Sequence, residues 1–104
     1  MRDTELSLTA TQLDGQGHLV TVAGDVDIAT APQLAEYLVT FTDGTVTVDL
    51  SQVAFLDSSD MHALLAAHRR LERRESRLAI RGATPIVRRV LQISGLDQLL
   101  NLDS

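Results

Sequence analysis

The sequence predicts an α/β fold: a mixed sheet of four to five strands that opens as an antiparallel hairpin and continues through parallel crossovers, with helices packed mainly on one face. Two observations predict it. Apolar residues alternate with period two at the start of the chain and again in later short runs, and between those runs they recur with helical period. The elements so defined follow the order β-β-α-β-α-β-α. The 104 residues, 44% hydrophobic and 22% charged, suit a single small domain spanning 1–104.

"ELSLTATQL" alternates, with Leu6, Leu8 and Ala10 on one side, and reads as the first strand. Asp14-Gly15-Gln16-Gly17 turns the chain into "HLVTVAG", its antiparallel partner. Thr30 then caps a helix, with Gln33 completing a capping box and Pro32 in the first turn. Leu34, Leu38 and Phe41 form its buried stripe, and Asp43-Gly44 ends it. "TVTVDL", rich in valine and threonine, is the expected central strand. A second helix runs from about 58 to 74, buried along Met61, Leu64, Leu65, His68 and Leu71. "RLAIRG" is a short strand. Thr84-Pro85 opens a third helix with Ile86, Val87, Val90 and Leu91 facing inward, Gly95 stands as its C′ residue, and "LDQLLNL" forms a short last element.

Composition narrows the function. Without cysteine there is neither a disulfide framework nor a thiolate metal site. No apolar run approaches the roughly 18 residues of a membrane span, and "MRDTELSLTA" lacks a signal peptide's apolar centre. A soluble cytoplasmic domain, not attached to a membrane and without a cofactor, is the expectation. The net charge of −5 argues against direct nucleic-acid binding, since phosphate contacts supply most of that affinity. The charge is uneven: residues 1–60 hold ten acids against Arg2 alone, and residues 61–104 hold eight arginines against four acids. Those arginines are either ordinary solvated helix faces or a basic patch that meets an acidic protein surface.

The stretch "FLDSSDMHALL" carries the most information. With Asp57 as N-cap, Ser58 is N1, Ser59 is N2 and Asp60 is N3, so Asp57 and Asp60 form an acidic variant of the capping box. The helical wheel places Ser58 at the edge of the apolar stripe and Ser59 away from it, so both hydroxyls are expected at the surface. A phosphate on Ser58 would add about −1.5 to −2 charges to a patch that Asp57 and Asp60 already make negative. A partner docked there would be repelled.

"VDLSQVAFLDSSDMHALLAAHRRL" is similar to the signature of bacterial anti-sigma factor antagonists, the single-domain STAS proteins. "AGDVDIATAPQL" and "GATPIVRRVLQISGLDQLL" resemble two further segments of that family, in the family's order. The resemblance implies the STAS sandwich and a partner-switching function without enzymatic activity. The unmodified protein binds an anti-sigma factor that is also a serine kinase, which frees a sigma factor. Phosphorylation breaks the complex, and a metal-dependent phosphatase of the PP2C type restores it. By position the phosphoacceptor is Ser58, with Ser59 as second choice. The contact surface it implies includes Asp25, Asp27, Thr30, Asp57, Ser58, Ser59, Asp60 and His62.

One departure stands out. Where the family has a Ser-Ser-Gly-Leu-Gly pattern, this chain has Asp60 and His62 in the glycine positions. Asp60 there adds bulk and charge. An alternative inside the same fold is therefore a non-switching accessory module, as in bacterial lipid-transport ABC systems. His62 lies four residues from Ser58 and is its neighbour on the helix surface. It is an exposed polar residue, or a group that pairs with phosphate when protonated or contacts the kinase. Ser58, His62 and Asp57 supply a hydrolase's residue types, but they crowd one helical turn without a glycine-rich oxyanion turn. His18, His62 and His68 show no metal-ligand spacing, and His68 reads as a core-edge residue. The unpaired edge of the first strand leaves a monomer or a weak homodimer as the expected state.

Overall fold

The computed structural model describes residues 7–12, 17–24, 30–41 and 44–103. Among them one sheet forms from β1 (Ser7–Gln12), β2 (Gly17–Ala23), β3 (Thr45–Gln52), β4 (Arg77–Arg81) and β5 (Asn101–Asp103), in that spatial order. β1 pairs antiparallel with β2, and all the other neighbours run parallel. The helices are α1 (Ala31–Leu38), α2 (Ser58–Glu72), α3 (Pro85–Ser94) and the single turn α4 (Leu96–Leu99). The mixed α/β sheet stands as predicted, with β3 at its centre. No described helix is long and apolar enough to cross a membrane.

Alternation along the strands shows where the helices lie. Val20 and Val22, Val46, Val48 and Leu50, and Leu78 and Ile80 are buried, while the residues between them are partly exposed or exposed. Each crossover steps the same way across the sheet, and the prevailing right-handed connection then stacks every helix on one side. Leu34 and Leu38 of α1, Leu64 and Leu71 of α2, and Val87 and Leu91 of α3 complete the core. The opposite face stays open and polar, with Thr21, Thr47 and Asp49 on it. There Arg81 lies 3.4 Å from Asp49, and the Ser51 N–H donates to Asp49 Oδ1 at 2.8 Å.

Several local expectations are corrected. Thr30 is the N-cap of α1 but has helical dihedrals (φ −101°, ψ −13°) and makes no side-chain cap bond, so the box with Gln33 does not form. An extended residue is needed to swing the hydroxyl over the third N–H, and here the Thr30 carbonyl takes the Gln33 N–H instead, at 3.0 Å. α1 stops at Leu38 rather than near Asp43, which lies outside the described residues along with Leu6 and most of the first turn. The Thr40 hydroxyl donates to the Tyr37 carbonyl at 2.7 Å, and Arg74 Nη1 donates to the Val39 carbonyl at 2.7 Å. These bonds take carbonyls that a longer helix would have used. Ala10, on the edge strand, is exposed, as is Ile86 at 62%. The buried face of α2 includes Asp60, Ala63 and Ala67, with Met61 and Leu65 only half-buried. The last element is α4 followed by β5, a strand too short to leave a periodic signal.

Two glycines are required for their backbone. Gly95 caps α3 at φ 83° with open space where a Cβ would stand. Gly82 follows β4 at φ +70°, and a Cβ there would come within 2.9 Å of Asp49 Oδ1 and 3.2 Å of Ser51 Cβ. Gly95→Ala should cost about 1 kcal/mol for the left-handed backbone alone. Gly82→Ala should cost about 2 kcal/mol or more, because crowding adds to it. Urea unfolding of both variants checks this, and equal losses would contradict it.

Burial pushes the Asp49 carboxyl up, but the Ser51 backbone and hydroxyl bonds and the Arg81 guanidinium outweigh that and hold it below its ordinary value. The unfolded chain therefore binds more protons at this group, so its contribution is complete above about pH 4 and fades as pH falls further. Asp49→Asn should lose less stability than the parent between about pH 5 and pH 3, read from denaturation midpoints at the two values.

Candidate functional site

The site grows out of the connection between β3 and α2. Val53 and Leu56 are buried at 2% and 3% exposure and pin this short loop to the core. Their anchoring presents Asp57 in an extended conformation (φ −109°, ψ −173°), the geometry an N-cap needs. Asp57 Oδ1 then accepts from the Asp60 N–H at 3.1 Å, and Asp60 Oδ2 accepts from the Asp57 N–H at 2.9 Å. The reciprocal box expected from the sequence is present. The Met61 N–H donates to the Asp57 carbonyl at 3.1 Å and closes the first turn.

The box decides where the intervening side chains go. Ser58 is exposed, Ser59 half-buried and His62 exposed. Asp57 is half-buried. Asp60 is not a surface charge: its side chain turns inward and the residue is 0% exposed. The expectation that Asp60 lies on the contact surface and adds to an exposed negative patch is corrected accordingly. Its carboxylate is drawn in by the Asp57 N–H, and the negative character beside Ser58 comes from Asp57.

Two hollows flank these residues. One lies between α1 and α2, floored by Ala31, Ala35, Ala63 and Ala66, with Pro32, Ser59 and His62 around it. The other is lined by Ser58, Met61, His62, Leu65, Ser94 and Leu96. The start of α1, where Thr30 sits half-buried, thus borders the first hollow beside Ser59 and His62. Asp25 and Asp27 lie outside the described residues. Phe55, just before the cap, is 61% exposed. "VAFL" gives no sign of which apolar residues the loop buries and which it leaves out.

The histidines stand apart from one another. The His18 ring lies 4.7 Å from that of Phe41, His68 is buried with Nε2 3.9 Å from Glu72 Oε1, and His62 is at the head of α2. Among the described residues no group of three or more His, Asp or Glu could hold a metal ion. Three of the arginines make contacts within the fold. Arg70 lies 3.5 Å from Glu36, Arg74 closes the end of α1, and Arg81 faces Asp49. What remains at the helix head is an exposed hydroxyl on a rigid turn, open to an external reagent or a docking protein.

A protein-family model described as "Mlab, STAS domain" matches residues 9–101. The chain belongs to the STAS domain family. An anti-sigma-B factor antagonist from Listeria monocytogenes is 30% identical to this STAS domain over 86 residues, 80% of this chain and 75% of that protein. An anti-sigma factor antagonist from Mycobacterium paratuberculosis has a solved structure with a TM-score of 0.82 at 26% identity, covering 97% of this chain and 87% of that one. The Bacillus cell fate determinant SpoIIAA in its phosphorylated form aligns with a TM-score of 0.69 over 94% of this chain and 92% of that one. At 21% identity that likeness shows the fold alone.

Asp60→Ala should destabilise this STAS domain by about 1–2 kcal/mol, since it leaves the Asp57 N–H without its carboxylate. His62→Ala, on the exposed side of the same turn, should change stability by less than about 0.5 kcal/mol. Thermal or urea unfolding of the pair distinguishes the inward residue from the outward one.

Proposed function

We propose that this STAS domain is an anti-sigma factor antagonist. It binds an anti-sigma factor that has serine kinase activity, and binding releases a sigma factor. Phosphorylation of Ser58 ends the interaction, and a PP2C-type phosphatase restores it. The observation that carries the reading is the exposed Ser58 hydroxyl at N1 of α2, held by a cap that does not use it. The relatives named as antagonists of anti-sigma factors support the partner class.

The physics of the switch follows from the placement. A phosphate on Ser58 adds about −1.5 to −2 charges outside the core, so packing is undisturbed. It stands near the positive end of α2, which tolerates negative charge. The docking face changes instead: Ser58, Ser59 and His62, with Thr30 across the hollow, acquire a strong anion in their midst. Phe55 and the alanine-floored hollow offer the apolar part of such a face, and Asp25 and Asp27 belong to the proposed contact by sequence position. The inward Asp60 leaves the approach to Ser58 unobstructed, although it replaces a glycine of the family pattern.

A second reading is an accessory module that binds its partner without being modified. The description of the matching family model, which names Mlab, favours it. Incubation with ATP and a cognate serine kinase, followed by mass spectrometry of the intact protein and its peptides, separates the two. One phosphate on the peptide holding Ser58 supports switching, and none, together with tight partner binding, supports the accessory role. Ser58→Ala should bind the anti-sigma factor constitutively and Ser58→Asp should bind it at least about tenfold more weakly, a loss of about 1.4 kcal/mol. Parental affinity in both variants would remove Ser58 from the mechanism.

A further inference from the structure

We propose that His62 is the counter-ion of the phosphate on Ser58, so that the charge added by modification is graded by pH. The proposal rests on the reading of Ser58 as phosphoacceptor and assigns a second residue to that site. Ser58 and His62 stand at i and i+4 on α2, a spacing that leaves about 5–6 Å between Cβ atoms. Helical side chains lean towards the N-terminus, which tilts the imidazole over the serine one turn before it. Both residues are exposed and line the same hollow, whose volume is ≈ 210 Å³. A water molecule occupies roughly 30 Å³, so a phosphate has room beside the ring.

Among the described residues that line the hollow, none besides His62 is charged or titratable as imidazole is. Met61, Leu65, Ser94 and Leu96 line the rest of it and carry no charge. From α1, the residues facing His62 are Ala31, Pro32 and Ala35, and Glu36 lies within 3.5 Å of Arg70 further along α2. On α2 itself Asp60 is buried and exchanges cap bonds with Asp57. His68 lies near Glu72, and Asp97 of α4 follows Leu96 without lining the hollow. Among the described residues, a phosphate dianion on Ser58 would be the largest charge on that hollow.

Imidazole and phosphoserine titrate in overlapping ranges, near about 6.5 and about 6. Each charged form favours the other, so the His62 pKa rises and the second phosphate pKa falls. Above both ranges the modified face carries the full dianion. As pH falls through the raised His62 range, the imidazolium offsets about one of its two charges, and repulsion of an acidic or anion-averse partner weakens. The glycine that the family pattern places here has no such group.

The test uses the full chain with phosphoserine inserted at position 58 during translation, which makes it independent of any kinase. Proton NMR titration should show His62 raised by about half a unit or more relative to the unmodified chain, with His18 and His68 unmoved. Phosphorus NMR should place the second phosphate pKa lower than in the His62→Gln protein carrying the same phosphoserine, by a comparable shift. Both must move, because the coupling is reciprocal. An unchanged His62 midpoint, or the same phosphate midpoint with and without His62, overturns the proposal. Either result leaves the question of whether a kinase modifies Ser58 to the mass-spectrometric experiment, so the two readings fail separately.

Discussion

The exchange of hydrogen bonds between Asp57 and Asp60 is the constraint on which the rest of the site depends. A helix must satisfy its first N–H groups, and this one does so with the first and fourth residues of its opening turn. The two serines between them are left with no structural duty in the cap. The side-chain bonds of the cap run between Asp57 and Asp60, and the Ser58 hydroxyl lies outside them at the surface. In the proposed switch, stability and signalling would thereby be separated within four consecutive residues.

The same economy appears in the sheet. Because the crossovers all step one way, every helix shares one side of the sheet with the core residues of β2, β3 and β4. Loops at the ends of the parallel strands then fall to the start of a helix, and Val53 and Leu56 fasten the loop that matters. Part of the charge asymmetry along the chain serves local contacts. Three of the eight arginines in the second half, Arg70, Arg74 and Arg81, are engaged within the fold.

Much of this was legible in the sequence. Period-two alternation located β1, the turn after it announced β2, the valine and threonine content marked β3, Thr84-Pro85 and Gly95 bounded α3, and the D-x-x-D spacing announced the cap of α2. Ser58 is exposed as the wheel expected, but Ser59, which the wheel set farther from the apolar stripe, is half-buried because it lines the hollow against α1. What escaped has physical reasons. A hydrophobicity pattern treats every carboxylate as outward, so it misses Asp60, which turns inward to accept the Asp57 N–H. The end of α1 depends on Arg74, thirty-five residues away from the carbonyl it reaches, and no local signal contains that contact. β5 is held by pairing with β4 and carries too few residues to show an alternation of its own. Thr30 looked like a cap by type, but its hydroxyl cannot act as one from a helical backbone.

With all helices gathered on one side, the threonine-bearing back of the sheet lies away from the docking face proposed at Ser58. Thr21 and Thr47 point that way, with the body of the sheet between them and the helical layer. A fluorophore or surface tether placed there would report on complex formation while leaving the front of the molecule untouched.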